Sequence, residues 1–237
     1  IIDRIAMNAF KLNLGTGRKW RFGIDPASRF TGIALVSDKE DIVILLDCKR
    51  DTILTKEEFY DDLYRLLLRL AHGQEVKRVV NEKPFVKGGF VRASEVLVAL
   101  RGKIEEWSRT IPEFAASEFI QIPPSTWKSH VIDKSKGKGR FNAAGAVAED
   151  LCDRFPLLQN YKDLGISGDL DSFDALGAVI GYEDYAYDEN GNKRISGTKE
   201  KTHTSLCCFV WEDTEKLDGK YISDLLGKAV MVITPKY

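Results

Sequence analysis

Cysteine and histidine are scarce. Four cysteines (Cys48, Cys152, Cys207, Cys208) and three histidines (His72, His130, His203) occur in the whole chain. No C-x-x-C pair is present, and adjacent Cys207 and Cys208 are poorly placed to chelate one ion together, so a zinc site is not expected. The spacing is not that of a secreted disulfide framework, which points to a reducing compartment. No apolar run reaches the roughly 18–20 residues that span a bilayer, and no signal-peptide core is visible. The chain begins at Ile1, which reads as a processed or trimmed form. A G-x-x-x-x-G-K-[ST] phosphate loop is also missing. Charge of one sign is not in excess: 35 Lys and Arg face 36 Asp and Glu, a formal net charge of −1. Whole-chain charge therefore neither indicates nor excludes a nucleic-acid partner, and local charge must decide.

What is there is ordinary globular material. The chain has 237 residues, 43% hydrophobic and 30% charged, which argues against disorder or a collagen-like fibre. That length can bury a sizeable core as one large or two small domains. Residues 1–18 read as a leader ending in Gly15-Thr16-Gly17-Arg18. Three segments rich in β-formers follow, Trp20–Asp25, Gly32–Ser37 and Ile42–Asp47, the last two joined by a turn at Asp38-Lys39-Glu40-Asp41. Thr55 and Glu58 form a capping box for a helix whose Phe59, Leu63, Leu66, Leu67 and Leu70 share one face, with Gly73 as its stop. Val76–Asn81 reads as a strand running into Glu82. A helix over Arg92–Arg109 places Leu97, Leu100, Ile104 and Trp107 at helical spacing. Phe119–Ile122 is a strand stopped by Pro123-Pro124. Short helices from Ser125 and from about Asn142 to Arg154 precede a last helix over about 170–185. The order β-β-β-α-β-α-β-α-α is α/β: a mixed sheet with helices on its faces. Beyond Tyr185, Asn190-Gly191 reads as a hairpin turn, and Leu206–Trp211 and Lys228–Thr234 as strands of a β-containing C-terminal appendage.

Acidic residues stand at the ends of expected strands. Asp25 closes the first strand just before Pro26, and Glu82 closes the fourth just before Lys83-Pro84. If those strands are neighbours, the two carboxylates converge. Asp169, Asp171 and Asp174 come at the start of the last helix, where positions 171 and 174 point off one face. Taken singly, Asp25 fits a turn, Glu82 a surface charge and Asp169 or Asp171 a helix N-cap. Asp174 lies inside the helix beside Ala175, Leu176, Ala178 and Val179, so a cap does not explain it. Gathered together, such carboxylates repel one another and need a cation. Oxygen-only ligands favour Mg²⁺ or Mn²⁺, and two such ions serve phosphodiester cleavage. The loop carrying Lys134, Lys136, Lys138 and Arg140, with Lys128 upstream, is the best phosphate-binding candidate; otherwise it is a solvated loop. Phe85, Phe90 and Phe141 lie near these groups in sequence and offer stacking surfaces or core.

Five segments match one family in order. Asp25-Pro-Ala-Ser-Arg-Phe-Thr-Gly32 resembles the first-strand motif D-P-G-S-R-x-T-G of RuvC-type Holliday junction resolvases, with Ala27 in place of the usual glycine. Glu82-Lys-Pro-Phe85 is similar to that family's E-x-x-F, and Ala99-Leu-Arg-Gly102 to the small-residue stretch of the next helix. Pro124-Ser-Thr-Trp-Lys128, followed by Gly137-Lys-Gly-Arg140, is similar to its P-x-x-V-K…G-x-G segment, and Asp171-Ser-Phe-Asp174-Ala-Leu to its final D-x-x-D-A-L helix. The matches cover roughly residues 20–185. The resemblance implies an RNase H-like fold and a homodimer that nicks opposed strands of a four-way DNA junction with two Mg²⁺ ions per site, Mn²⁺ substituting. It implies Asp25, Glu82, Asp171 and Asp174 as metal ligands, with Asp25 bridging the ions. Lys128 would contact phosphate near the scissile bond and Phe85 would wedge at the junction. DNA contacts would come from Ser28, Arg29, Lys134, Lys136, Lys138 and Arg140. Residues 1–18 and 186–237 have no counterpart in the compact bacterial enzyme, so the expected division is an N-terminal extension (1–18), a nuclease domain (19–185) and a C-terminal extension (186–237) packed on it. A cytoplasmic, nucleoid-associated protein is expected; phage, prophage or organellar origin stays open.

Other readings keep part of this pattern. The same fold could act on other branched DNA, on RNA–DNA hybrid or on packaging substrates. An actin-like ATPase shares a first-strand Gly-Ile-Asp, but needs a second related domain for which this chain lacks length. A DNA-binding module with vestigial acids would not require four carboxylates.

Overall fold

The computed structural model describes residues 19–27, 30–38, 42–49, 55–83, 91–137, 139, 141, 145–155, 158, 171–186 and 205–211. The expected Asn190-Gly191 hairpin and Lys228–Thr234 strand lie outside them. Strands β1 (Lys19–Pro26), β2 (Phe30–Ser37) and β3 (Ile42–Lys49) form an antiparallel meander. Helix α1 (Lys56–Ala71) leads to β4 (Glu75–Glu82), which lies parallel to β1 on its other side. Helices α2 (Val91–Thr110) and α3 (Pro112–Ala115) precede β5 (Glu118–Ile122), parallel to β4. Then come α4 (Pro124–Val131), α5 (Ala146–Arg154), α6 (Asp171–Ala186) and β6 (Ser205–Trp211). The sheet order is β5-β4-β1-β2-β3-β6, and β6 pairs in parallel with β3, from Ile42 opposite Ser205 to Cys48 opposite Trp211.

Period-2 alternation splits the sheet's side chains between two apolar layers. Trp20, Phe22, Ile24, Ile33 and Leu35 face one side, where they meet Phe59, Leu63 and Leu67 of α1 and Leu100, Ile104 and Trp107 of α2. Ala34, Val36, Val43, Leu45 and Val80 face the other, against Trp127, Leu151, Phe173, Leu176 and Val179 from α4, α5 and α6. A sheet buried on both faces is what the near-continuous apolar β2 requires, whereas β1 alternates, with Trp20, Phe22 and Ile24 on one face and Arg21, Gly23 and Asp25 on the other.

Local signals account for most boundaries. The Thr55–Glu58 capping box forms: the Glu58 N–H donates to Thr55 Oγ1 at 3.2 Å, and the Thr55 N–H to Glu58 Oε2 at 2.8 Å. On the α1 stripe, Leu66 is only half-buried while Phe59, Leu63, Leu67 and Leu70 are enclosed. Helix α3 is an addition to the sequence reading. Pro112 starts it, and it delivers Phe114 edge-to-face onto Phe22 with ring centroids 4.9 Å apart. Regular α5 begins at Ala146 because Gly145, at φ +76°, sits in the left-handed region and ends any helical run through it; residues 142–144 lie outside the described residues. Among the described residues, no helix is long and apolar enough to cross a membrane.

Candidate active site

The sheet order makes β1 and β4 neighbours, with Ile24 opposite Asn81. Asp25 and Glu82, each one residue further along, therefore stand side by side at the same end of the sheet. Both project to the face that carries α6: Val80, two residues before Glu82, packs in that layer, and Gly23, two before Asp25, lies under α6. The approach of α6 is unusually close. A Cβ on Gly23 would lie 2.2 Å from the Ala175 carbonyl oxygen, and one on Gly32 would lie 2.0 Å from the Asp171 carbonyl. Two missing side chains on paired strands thus let the first turns of α6 rest on the sheet backbone. At the other end, buried Arg78 pairs with Glu118 at 2.7 Å and with Glu183 of α6, tying β4, β5 and the last turns of the helix together.

This seating puts Asp174 beside the strand-end acids. Asp25, Glu82 and Asp174 each offer a carboxylate oxygen, and these oxygens all lie within 4.8 Å of one another. Asp25 is 8% exposed and the other two are half-buried. Burial, then the charges of Glu82, Asp171 and Asp174, push Asp25 well above the ordinary carboxylate range, against the opposing pull of Lys128. Glu82 rises to about 7, driven by burial and then by Asp174; the Trp127 hydrogen bond and Lys128 pull the other way, and Asp171 adds a smaller push. Negative charge at this spot is thus unfavourable unless a cation offsets it. The donor set is oxygen only, which fits a hard divalent ion such as Mg²⁺ or Mn²⁺.

Helix α4 supplies two further groups from consecutive residues. Lys128 Nζ is 3.3 Å from Asp174 Oδ2. The indole N–H of Trp127 donates to Glu82 Oε2 at 2.7 Å. Trp127 was not among the residues expected at the site. Its only sequence signal is its place beside Lys128, and the contact joins residues 45 positions apart.

The remaining expected residues divide as follows. Asp171 is the first residue of α6, half-buried and outside the three-carboxylate cluster, though its charge acts on both Asp25 and Glu82. Lys134 is exposed on a single 3₁₀ turn over residues 134–136. Lys136 is exposed and turned toward α5: its ammonium sits 2.5 Å from Asp150 Oδ1 and also bonds Asp153, both on that helix. Phe141 packs against the α4–α6 layer. Ser28, Arg29, Phe85, Phe90, Lys138 and Arg140 lie outside the described residues.

No family model and no curated protein matches the sequence. Among solved structures, T. thermophilus RuvC in complex with a Holliday junction substrate is similar over 71% of this chain and 94% of its own, with TM-score 0.50 and 15% identity. Another Thermus thermophilus RuvC structure is similar over 70% and 95%, with TM-score 0.46 and 17% identity. The yeast mitochondrial Holliday junction resolvase is similar over 68% and 76%, with TM-score 0.45 and 10% identity. The first of these decides the architecture. A mixed sheet sandwiched between helices, similar over nearly the whole of that resolvase, means that this chain has the RNase H-like fold of RuvC-type resolvases.

Proposed function

We propose that the protein is a Holliday junction resolvase: a structure-selective DNA endonuclease that nicks opposed strands of a four-way junction by metal-dependent phosphodiester hydrolysis. The observation that carries this reading is the convergence of Asp25, Glu82 and Asp174 within 4.8 Å from two strands and a helix. A fold shared with a protein held on a Holliday junction substrate supports the choice of DNA. Asp25, Glu82 and Asp174, with Asp171 beside them, would hold two divalent ions, Mg²⁺ with Mn²⁺ as substitute. Such ions activate water and neutralise charge on the leaving oxygen.

The protein's own groups have distinct tasks. Asp25, the most enclosed, sets the floor of the site on the rigid central strand. Glu82 holds a proton near neutral pH and gives it up when positive charge arrives. Lys128 keeps Asp174 in place and presents an ammonium beside the approaching phosphate. Exposed Lys134 fits a contact with the DNA backbone further out, and Ser28, Arg29, Phe85, Lys138 and Arg140 are assigned to DNA by motif. Two opposed nicks require two sites, hence a homodimer; an α2 face with Val98 55% exposed and nothing within 4 Å of a Cβ on Gly102 has room for a second copy. Residues 19–185 would form the nuclease domain, flanked by extensions at 1–18 and 186–237.

The test is cleavage of an end-labelled four-way junction with and without Mg²⁺. Two symmetric nicks that need Mg²⁺ are expected, and Asp25→Asn should lower the rate at least a thousandfold while junction binding in Ca²⁺ changes less than about threefold. Full activity in Asp25→Asn would overturn the site. A preference for RNA–DNA hybrid over the junction would overturn the substrate.

A further inference from the structure

Trp127 is fully buried, and its one polar atom meets a carboxylate of the site: indole N–H to Glu82 Oε2, 2.7 Å. The indole is seated against α6. A Cβ on Gly177 would lie 2.4 Å from the Trp127 ring, and one on Gly181 would lie 2.6 Å from the Trp127 carbonyl oxygen and 2.8 Å from its Cβ. Gly177 and Gly181 are four apart and make one stripe on α6. Asp174 precedes Gly177 by three residues, on the same side of the helix. A single rigid ring therefore touches Glu82 with its N–H and the Asp174-bearing helix with its six-membered ring. Lys128, the next residue, reaches Asp174 at 3.3 Å.

We infer that Trp127 is a positioning residue, fixing the Glu82 carboxylate relative to Asp174 by a hydrogen bond from a ring clamped on the glycine stripe of α6. A carboxylate has two oxygens with about four acceptor positions, so one indole donor constrains the group and leaves capacity for a cation. An aliphatic side chain at 127 would fill space but donate nothing. Groups that orient a ligand in this way typically contribute about 10–100-fold to metal affinity or activity. The inference rests on the proposed role of Glu82 as a cation ligand; the contact itself does not.

The experiment has a metal-free arm and a metal arm. In the first, the indole N–H signal of Trp127 is assigned among the four tryptophans by its loss in Trp127→Phe. In Glu82→Ala that signal should shift and exchange faster with solvent while the other three stay. A signal unmoved by Glu82→Ala overturns the inference; if Trp127→Phe fails to fold, the signal is assigned instead by its nuclear Overhauser contacts to Gly177, against which the ring packs. In the second arm, Mn²⁺ binding is measured by calorimetry on the full chain. Trp127→Phe should weaken it about tenfold, with its melting temperature near that of the unaltered chain, and junction cleavage should recover at higher Mg²⁺. A folded Trp127→Phe with unchanged Mn²⁺ affinity and unchanged Mg²⁺ dependence reduces Trp127 to core packing and overturns the proposal. If the indole and Mn²⁺ responses hold but the unaltered chain cuts no junction, the proposed function fails and the positioning role stands.

Discussion

Asp25 and Glu82 keep protons at a pH where exposed carboxyls have lost them, and the cost of ionising them falls on the folded state. Glu82 moves from an ordinary 4.5 to about 7. Between those values the folded chain binds more protons than the unfolded one, so stability falls as pH rises. The contribution is fully present below about pH 4.5 and is lost as pH climbs through about 7; for Glu82 alone it is on the order of 3 kcal/mol. Asp25, also raised, adds in the same direction. Melting curves in a chelator should therefore show a temperature midpoint that declines from pH 5 to pH 8. Glu82→Gln, which cannot ionise, should flatten the decline. Mg²⁺ should raise the midpoint most at the alkaline end, because bound cation displaces the protons. A chelated protein that gains stability over this range would contradict the electrostatic account of the cluster.

Elements deliver these residues, and α6 is the decisive one. Gly32→Ala would drive a methyl group into the Asp171 carbonyl, 2.0 Å away, with backbone on both sides of the clash. Overpacking of this kind costs about 1–3 kcal/mol, and here the relief is to lift the first turn of α6, carrying Asp171 and Asp174 off Asp25. Junction cleavage should fall far more than the melting temperature suggests, and circular dichroism should show the fold retained. A second element-scale device is the latch between the 3₁₀ turn and α5. Asp150, with its side chain 3% exposed, accepts the Asp133 N–H at 2.8 Å and the Lys136 ammonium at 2.5 Å. Lys136→Met leaves a buried carboxylate short of its cation and should cost roughly 1–3 kcal/mol in denaturant unfolding. The strand-end acids were legible in the sequence because each precedes a proline by one or two residues at the end of a β-forming run. The capping box and the apolar stripe of α1 were legible for the same reason: both are local. Gly23, Gly32 and Trp127 were not. Their roles depend on which helix crosses which strand, at separations that no local period encodes. The pairing of exposed Lys136 with α5 was hidden likewise, because a glycine-rich basic stretch looks the same whether or not its lysines meet acids on a neighbouring helix.

At the scale of the whole molecule, β6 is what the chain adds to the edge of its sheet. It pairs with β3 over seven residues, Ile42 to Cys48, and so covers backbone donors and acceptors that would otherwise face solvent. An uncovered strand reading Ile-Val-Ile-Leu-Leu is a template for pairing with other chains. The candidate active site is remote from this edge: β2 separates β3 from β1, and neighbouring strands are about 4.8 Å apart, so β3 lies roughly 10 Å from the strand that carries Asp25. Glu82, on β4, is further from it still in the sheet order, and Asp174 joins the cluster at Asp25 and Glu82. Edge protection and catalysis should therefore separate. A chain truncated after Ala186 is expected to scatter light and lose solubility within hours at tens of micromolar. Its soluble fraction should bind Mn²⁺ and cleave junctions at a rate within a few-fold of the full chain per folded molecule. If the soluble truncated protein binds Mn²⁺ normally yet no longer cuts, the C-terminal segment takes part in gripping DNA or the second copy, and it serves the proposed activity as well as the edge of the sheet.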